Sequence, residues 1–491
     1  MTKTNLFKSI GIVTIITLIT KIAGFIREVV IGVNLGTTKA ADFVTFALTF
    51  PTFLYLIVGG AFTTAFITVY QKIETLEKKG DFVNNVNKIV NIIVFLLVIG
   101  LLILLLIFPS IFRYDTISFL LVLPALFFYI KASFFSGVLN AYKHFIESAY
   151  ALLLNNLTFL LIITILDWMV EEQIYIYTLS FTIASSLMYF YLRLKLKKLN
   201  LHPKKSRLNN LKGKSTKRLF SLSLPIILGG ASTQLLALFQ RFYAVKLEEG
   251  YIAAVNYASK LVLLPQGIIM TGVTTVIFPY LAQMAGKKEY EKIGNMYYTG
   301  ERMLFYILIF ISINVFILSE DIVKLIFEYG SFDKHSTYKT SIMLKFMVTS
   351  MYFSASSIFI TRYYYAFEQN KFPVITGFIT VFILNPIFFI LLFPFWGEIA
   401  LPLATTFSVV IQHFLLRQKL GKILKIPMLD IRVFLLRLLI LTLYLGTLLI
   451  FFKTIDHLNY ILRLTFMFVF QIILLLPFII KRKHFKKLKE S

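Results

Sequence analysis

Runs of about 20 apolar residues recur from one end of this chain to the other, each long enough to cross a hydrocarbon core of about 30 Å as a helix. The sequence predicts about fourteen of them, near 9–31, 43–70, 88–111, 116–140, 148–167, 173–192, 219–244, 253–281, 300–319, 341–366, 373–395, 399–416, 433–452 and 459–480. Composition agrees: 58% hydrophobic residues, 51 Phe and 15% charged residues, with a mean hydropathy of +0.79, cannot be wrapped around a soluble core of ordinary size. The expected fold class is all-α, a polytopic membrane protein.

The connecting loops alternate in charge, as they should if Lys and Arg collect on the cytoplasmic side. One set carries Lys3, Lys8, Lys72, Lys78, Lys79, Lys143, Lys287, Lys288, Lys371, Lys419, Lys422, Lys425 and the tail from Lys481. The other carries Asp167, Glu171, Glu172, Glu248, Glu249, Glu320, Asp321, Glu328, Glu398 and Asp456. Both termini are therefore expected in the cytoplasm. A net charge of +26 spread over one membrane face points to topology and contact with anionic lipids, not to a nucleic-acid partner.

No cleavable signal peptide is apparent, because the first apolar run lacks a small-residue cleavage site and carries Lys21 and Arg27. Zero Cys excludes disulfides and thiol chemistry. The longest polar stretch, about 25 residues, falls below the roughly 40 that a self-standing fold usually needs. The work of this protein is expected inside the bilayer.

A helix pair is spelled twice. Asp42 stands nine residues before Pro51, followed by Gly60, Thr63-Thr64 and Tyr70; Asn256 stands nine before Pro265, followed by Gly272, Thr274-Thr275 and Tyr280. Ala141-Tyr142-Lys143 and Ala366-Phe367-Glu368 extend the match. Six spans per copy give both copies the same orientation, with a pseudo-twofold axis along the membrane normal. The expected organisation is an N-terminal lobe over 1–195 (spans 1–6), a basic cytoplasmic linker over 196–217, a C-terminal lobe over 218–425 (spans 7–12), and spans 13–14 with a basic tail over 426–491. Such duplication suits a transporter that rocks two bundles around a central site.

Charges inside spans mark that site, since one at mid-bilayer costs about 2.5 to 3.5 kcal/mol on insertion scales and usually faces a cavity or a partner. Lys21, Arg27, Lys131, Arg241, Lys260 and Arg362 outnumber Glu28 and Asp42, so the cavity should be electropositive and suit a phosphate-bearing anion. Lys21, Arg27 and Lys260 are the leading candidates to face that anion, although Arg27 and Arg362 also fit snorkelling to an interface. Lys131 and Arg241 fit structural pairing with a neighbouring helix. Glu28 and Asp42 suit ion sites or charge balance, and Pro51 and Pro265 suit helix kinks or gating hinges. Paired His ligands, Walker loops and dinucleotide fingerprints are absent; no enzyme activity, cofactor or metal is expected.

Several stretches carry a resemblance. Lys21 to Glu28, Asp42 with Phe50-Pro51, and Gly60 to Phe66 resemble the start of the MurJ (MviN) family of lipid II flippases, in the multidrug/oligosaccharidyl-lipid/polysaccharide exporter superfamily. Gly137 to Tyr142, Asn256 to Lys260, Leu264-Pro265, Phe327 to Asp333 and Tyr365 to Phe367 continue it over nearly the whole chain. The resemblance implies two six-helix lobes plus two extra helices that form a lipid-tail groove. It also implies a place in a bacterial plasma membrane and a cationic cavity for the pyrophosphate and sugars of the precursor, in which Lys21, Arg27 and Lys260 take the positions of family cations and bind the pyrophosphate, and Glu28 and Asp42 take those of family acids. One departure stands out: Tyr55 and Leu56 occupy positions where the family often has an Arg pair.

The expected function is a flippase moving an undecaprenyl-pyrophosphate-linked cell-wall glycan, best matched by the peptidoglycan precursor lipid II, from inner to outer leaflet by alternating access, working as a monomer. A flippase for a capsular or teichoic-acid repeat unit stays open, as does a drug/cation antiporter of the same superfamily, whose cavity should present acids.

Overall fold

The computed structural model describes residues 3–57, 63–73, 75–107, 116–166, 173–201, 214–287, 289–369, 371–424 and 431–471. Gly60, the loop acids at 167–172, most of the linker, Lys425 and the basic tail lie outside them. Every regular element among the described residues is helical. The first part of the chain supplies α1 (Lys3–Leu35), α2 (Lys39–Ile57), α3 (Thr63–Gln71), α4 (Leu76–Ile107), α5 (Thr116–Ala141), α6 (Phe145–Leu166) and α7 (Gln173–Lys198). Beyond the linker come α8 (Lys214–Ala244), α9 (Tyr251–Gly286), α10 (Tyr290–Ile317), α11 (Ser319–Phe327), α12 (Lys334–Met347), α13 (Met351–Ala366), α14 (Lys371–Ile379), α15 (Asn385–Trp396), α16 (Ala400–Leu424) and α17 (Ile431–Ile455). A last helix, α18, covers Tyr460–Gln471.

Seven helical stretches among the described residues are long and apolar enough to cross a membrane. One of them, from 371 to 424, folds back on itself as two antiparallel arms, α14–α15 and α16, because the chain reverses at Gly397, whose φ of 52° lies in the left-handed region. The reversal brings Phe388 of α15 against Phe407 of α16, their ring centroids 5.6 Å apart. Upstream, Pro386 lacks an N–H and crowds the preceding turn, and the helix widens into a five-residue π stretch, Thr380–Leu384, just before it. The outer surface is apolar: Phe395 is 84% exposed and Ile390 68%. Large apolar side chains on the outside are what a chain dissolved in lipid should show.

Aromatic side chains fill the interior. In the first half Tyr129 stacks on Phe181, which meets Phe159 edge-on; in the second, Tyr297 packs between Phe359 and Tyr363. Within the first half α5 packs on α7, α6 on α7 and α1 on α6; within the second α12 packs on α9 and α13 on α16. The halves meet where α1, α2 and α3 contact α8 and α9. Along that seam α1 and α9 run antiparallel, for residue 36 meets 257, residue 28 meets 256 and 260, and residue 21 meets 267 and 271.

Candidate functional site

Three polar layers follow one another down the α1–α9 seam. At the first, the C-terminal end of α1 and the start of α2 are tied to the N-terminal end of α9 and to α12. Gly250 opens α9 with φ of 90° and has no side chain to cap the helix. Asp42 of α2 does so from across the seam, accepting from the Gly250 N–H at 2.7 Å and the Ala253 N–H at 2.8 Å. A Cβ at position 250 would stand 2.0 Å from the Thr37 carbonyl oxygen, so the close approach needs glycine. Around it the Tyr257 hydroxyl donates to the Gly36 carbonyl at 3.1 Å, the Thr37 hydroxyl to Ser336 Oγ at 2.9 Å, and the Lys339 ammonium to the Glu249 carbonyl at 2.6 Å.

Two turns down α1, Glu28 is the centre of the second layer. Its Oε1 lies 2.6 Å from Arg27 Nη2 and 3.5 Å from Lys260 Nζ, and its Oε2 accepts from the Asn256 amide at 2.6 Å. The Asn256 carbonyl oxygen in turn accepts from Arg241 Nη2 of α8 at 2.8 Å, and Arg241 also donates to the Thr49 hydroxyl of α2. Arg27 reaches Asn156 of α6 at 3.3 Å and sits over the Phe159 ring, 5.6 Å from its centroid. Arg27, Arg241 and Lys260 therefore surround one carboxylate, leaving a formal charge of about +2 in a region closed by helices. Lys260 is more open than Arg27 and Glu28, its side chain 32% exposed against 12% and 6%.

Lys21 forms the third layer, donating to the Gly267 carbonyl at 2.9 Å and to the Thr271 hydroxyl at 2.7 Å. Seven residues separate it from Glu28, about 10 Å along the helix. Thus the structure brings Arg27, Lys260 and Glu28 to one node, sets Lys21 two turns below it on the same pair of helices, and places Asp42 above it as the cap of α9. Helices α2 and α9 both continue through Pro51 and Pro265.

Arg241 belongs to the node, although its sequence setting fits a structural pairing equally well. Its signal was an in-span cation, and its partner Asn256 was already marked as the repeat counterpart of Asp42. Nothing in the sequence pairs the two. Tyr55, standing where the resemblance leads one to expect a cation, packs edge-on against Tyr129 at 5.1 Å. No group of three or more metal-ligating side chains gathers among the described residues.

Comparison with known proteins places this arrangement. The family model described as lipid II flippase MurJ matches residues 31–476. A probable lipid II flippase MurJ of Haemophilus influenzae is 25% identical over 434 residues, covering 83% of this chain and 84% of that protein. One from Buchnera aphidicola subsp. Schizaphis graminum is 26% identical over 472 residues, covering 91% and 90%. Among solved structures, a lipid II flippase MurJ in an inward closed conformation superposes with a TM-score of 0.75 at 23% identity, over 95% of this chain and 99% of that one. An inward-facing multidrug resistance MATE transporter superposes at 0.67 and 12% identity, over 84% and 96%. The structural matches give the fold. The family model begins at residue 31, after Lys21, Arg27 and Glu28, and takes in the seam residues of α2, α8, α9 and α12. With nine-tenths of the sequence matched, this multi-pass helical membrane protein, a transporter and not an enzyme, belongs to the lipid II flippase MurJ family.

Proposed function

We propose that this chain moves an undecaprenyl-pyrophosphate-linked cell-wall glycan precursor, lipid II, from the cytoplasmic to the outer leaflet by alternating access. The observation that carries the reading is the node at Glu28: three cations held around one carboxylate at the junction of α1, α8 and α9, the setting a pyrophosphate needs in a low-dielectric interior. Lys260 and Arg27 neutralise the pyrophosphate, with Lys21 a second contact two turns away. The sugars stay in the polar seam and the prenyl tail in lipid. No bond is made or broken; the protein lowers the barrier for a polar headgroup.

In this reading residues 1–195 and 218–425 are two lobes that rock about the seam, Pro51 and Pro265 are hinge positions, both termini are cytoplasmic, and the Asp42–Gly250 layer is the outer gate, closed here. Glu28 balances charge at rest and releases Lys260 when the substrate arrives. A cation-drug antiporter would need acids in the majority, the reverse of this node.

Complementation tests the proposal. With the host's own lipid II flippase depleted, expression of this chain should restore growth and the labelling of lipid II at the outer leaflet. Correct insertion without rescue would assign the chain to another lipid-linked glycan, such as a capsular or teichoic-acid unit, in keeping with Tyr55 and Leu56 at the cation positions.

A further inference from the structure

A second basic site lies away from the seam, in a groove of about 1210 Å³ between α4, α5 and α7. None of its lining residues belongs to α1, α2, α8 or α9. Lys88 of α4, Lys131 of α5 and Arg193 of α7 lie toward one end, and among the described residues no Asp or Glu lines the groove. Lys131 is buried, and two of its three N–H donors go to the Asn87 and Asn91 side-chain oxygens, the latter at 2.7 Å. Neither partner carries charge. The Phe135 ring centroid lies 5.0 Å from its ammonium. From this basic end the groove turns apolar and runs along α4 to Leu102 and back along α5 to Leu120. Those are 15 and 11 residues, about 22 and 16 Å of helix. One leaflet of hydrocarbon is about 15 Å deep. Phe95, on its wall, is 64% exposed and so faces the surrounding lipid.

From this juxtaposition we infer that the α4–α5–α7 groove is a binding site for an anionic phospholipid of the cytoplasmic leaflet, its phosphate between Lys131 and Arg193 and one acyl chain along the wall from Phe95 to Leu102. Charge complementarity selects the headgroup, because buried Lys131 has only neutral partners on its own helices and an ion in low dielectric needs a counter-charge. Groove length selects a molecule with a tail over a free phosphate. The leaflet follows from α7, whose last turn bears Lys195, Lys197 and Lys198 and leads into the basic linker. Only that leaflet assignment rests on the orientation proposed above; occupancy of the groove is independent of which glycan is moved.

A single-tryptophan reporter reads the site directly. Phe95→Trp, with Trp168 and Trp396 replaced by Phe, is reconstituted as the full chain into vesicles containing dibrominated phosphatidylglycerol or dibrominated phosphatidylcholine. Quenching should show preferential binding of phosphatidylglycerol. Arg193→Gln, at an exposed position where folding is not at stake, should reduce that preference about fivefold, and Lys131→Gln further. Lys197→Gln, on the same helix but outside the groove, should leave it unchanged. Equal quenching by the two lipids overturns the inference, as does an equal loss in Arg193→Gln and Lys197→Gln, which would mean general surface attraction. Displacement of the quencher by a polyprenyl phosphate but not by phosphatidylglycerol also overturns it.

Discussion

Glu28 is the side chain on which most depends, because it alone offers carboxylate oxygens to Arg27, Lys260 and Asn256. Glu28→Gln keeps the size but removes the charge, leaving buried cations without compensation. Breaking such a pair typically costs about 3 to 5 kcal/mol, so the variant should melt well below the parent in detergent, read by the loss of monodisperse protein on heating. Lys260→Gln removes a half-open cation and leaves Arg27 on Glu28; it should fold normally yet fail to restore outer-leaflet lipid II. A Lys260→Gln variant that transports as well as the parent would remove Lys260 from the substrate site. These residues were legible as in-span charges, each anomalous in its own apolar window. Their pairing was not, since Glu28 and Lys260 lie 232 positions apart and no spacing rule connects them.

At the scale of the element, helix ends decide where the halves touch. Asp42 caps α9 through two N–H groups, and Asp42→Ala should cost about 1 to 2 kcal/mol, the usual loss of a good cap. The sequence marked Asp42 as an ion or charge-balance residue; its position on the Gly250 turn shows what its carboxylate does in this conformation. Asp333 performs the local version, capping α12 by accepting from the Ser336 N–H at 2.8 Å. That hydrogen bond holds the Asp333 carboxyl below its ordinary 3.8. A depressed folded-state pKa means the cap is fully effective above about pH 4 and weakens as pH falls through the folded value. Stability of Asp333→Ala should therefore differ from the parent at neutral pH and converge with it in strong acid, measured by thermal melts across pH. The Asp333 cap is local to its own helix, whereas Asp42 sits inside one helix and caps another.

For the whole molecule, the seam has one closed end, and its closure can be tested because the chain contains no Cys to interfere. Thr37 and Ser336 face each other with hydroxyl oxygens 2.9 Å apart across the two halves. In the paired variant Thr37→Cys with Ser336→Cys, an oxidant should lock this end of the seam, the proposed outer gate, and abolish lipid II exposure, and a reductant should restore it. Undiminished transport in the crosslinked protein would exclude opening at this end.

The sequence by itself determined the solvent, the all-helical class and the presence of excess cations within the spans. Each is a local property, set by hydropathy over about 20 residues or by the cost of one charge in lipid. Tertiary structure alone decided that Arg241 and Asn256 complete the node, that Asp42 serves the helix opposite, and that Lys131 lies with Arg193 in a groove of its own. Partners are chosen by distance through space, and in a bundle of long helices neighbours come from segments hundreds of residues apart, so only the packed bundle could name them.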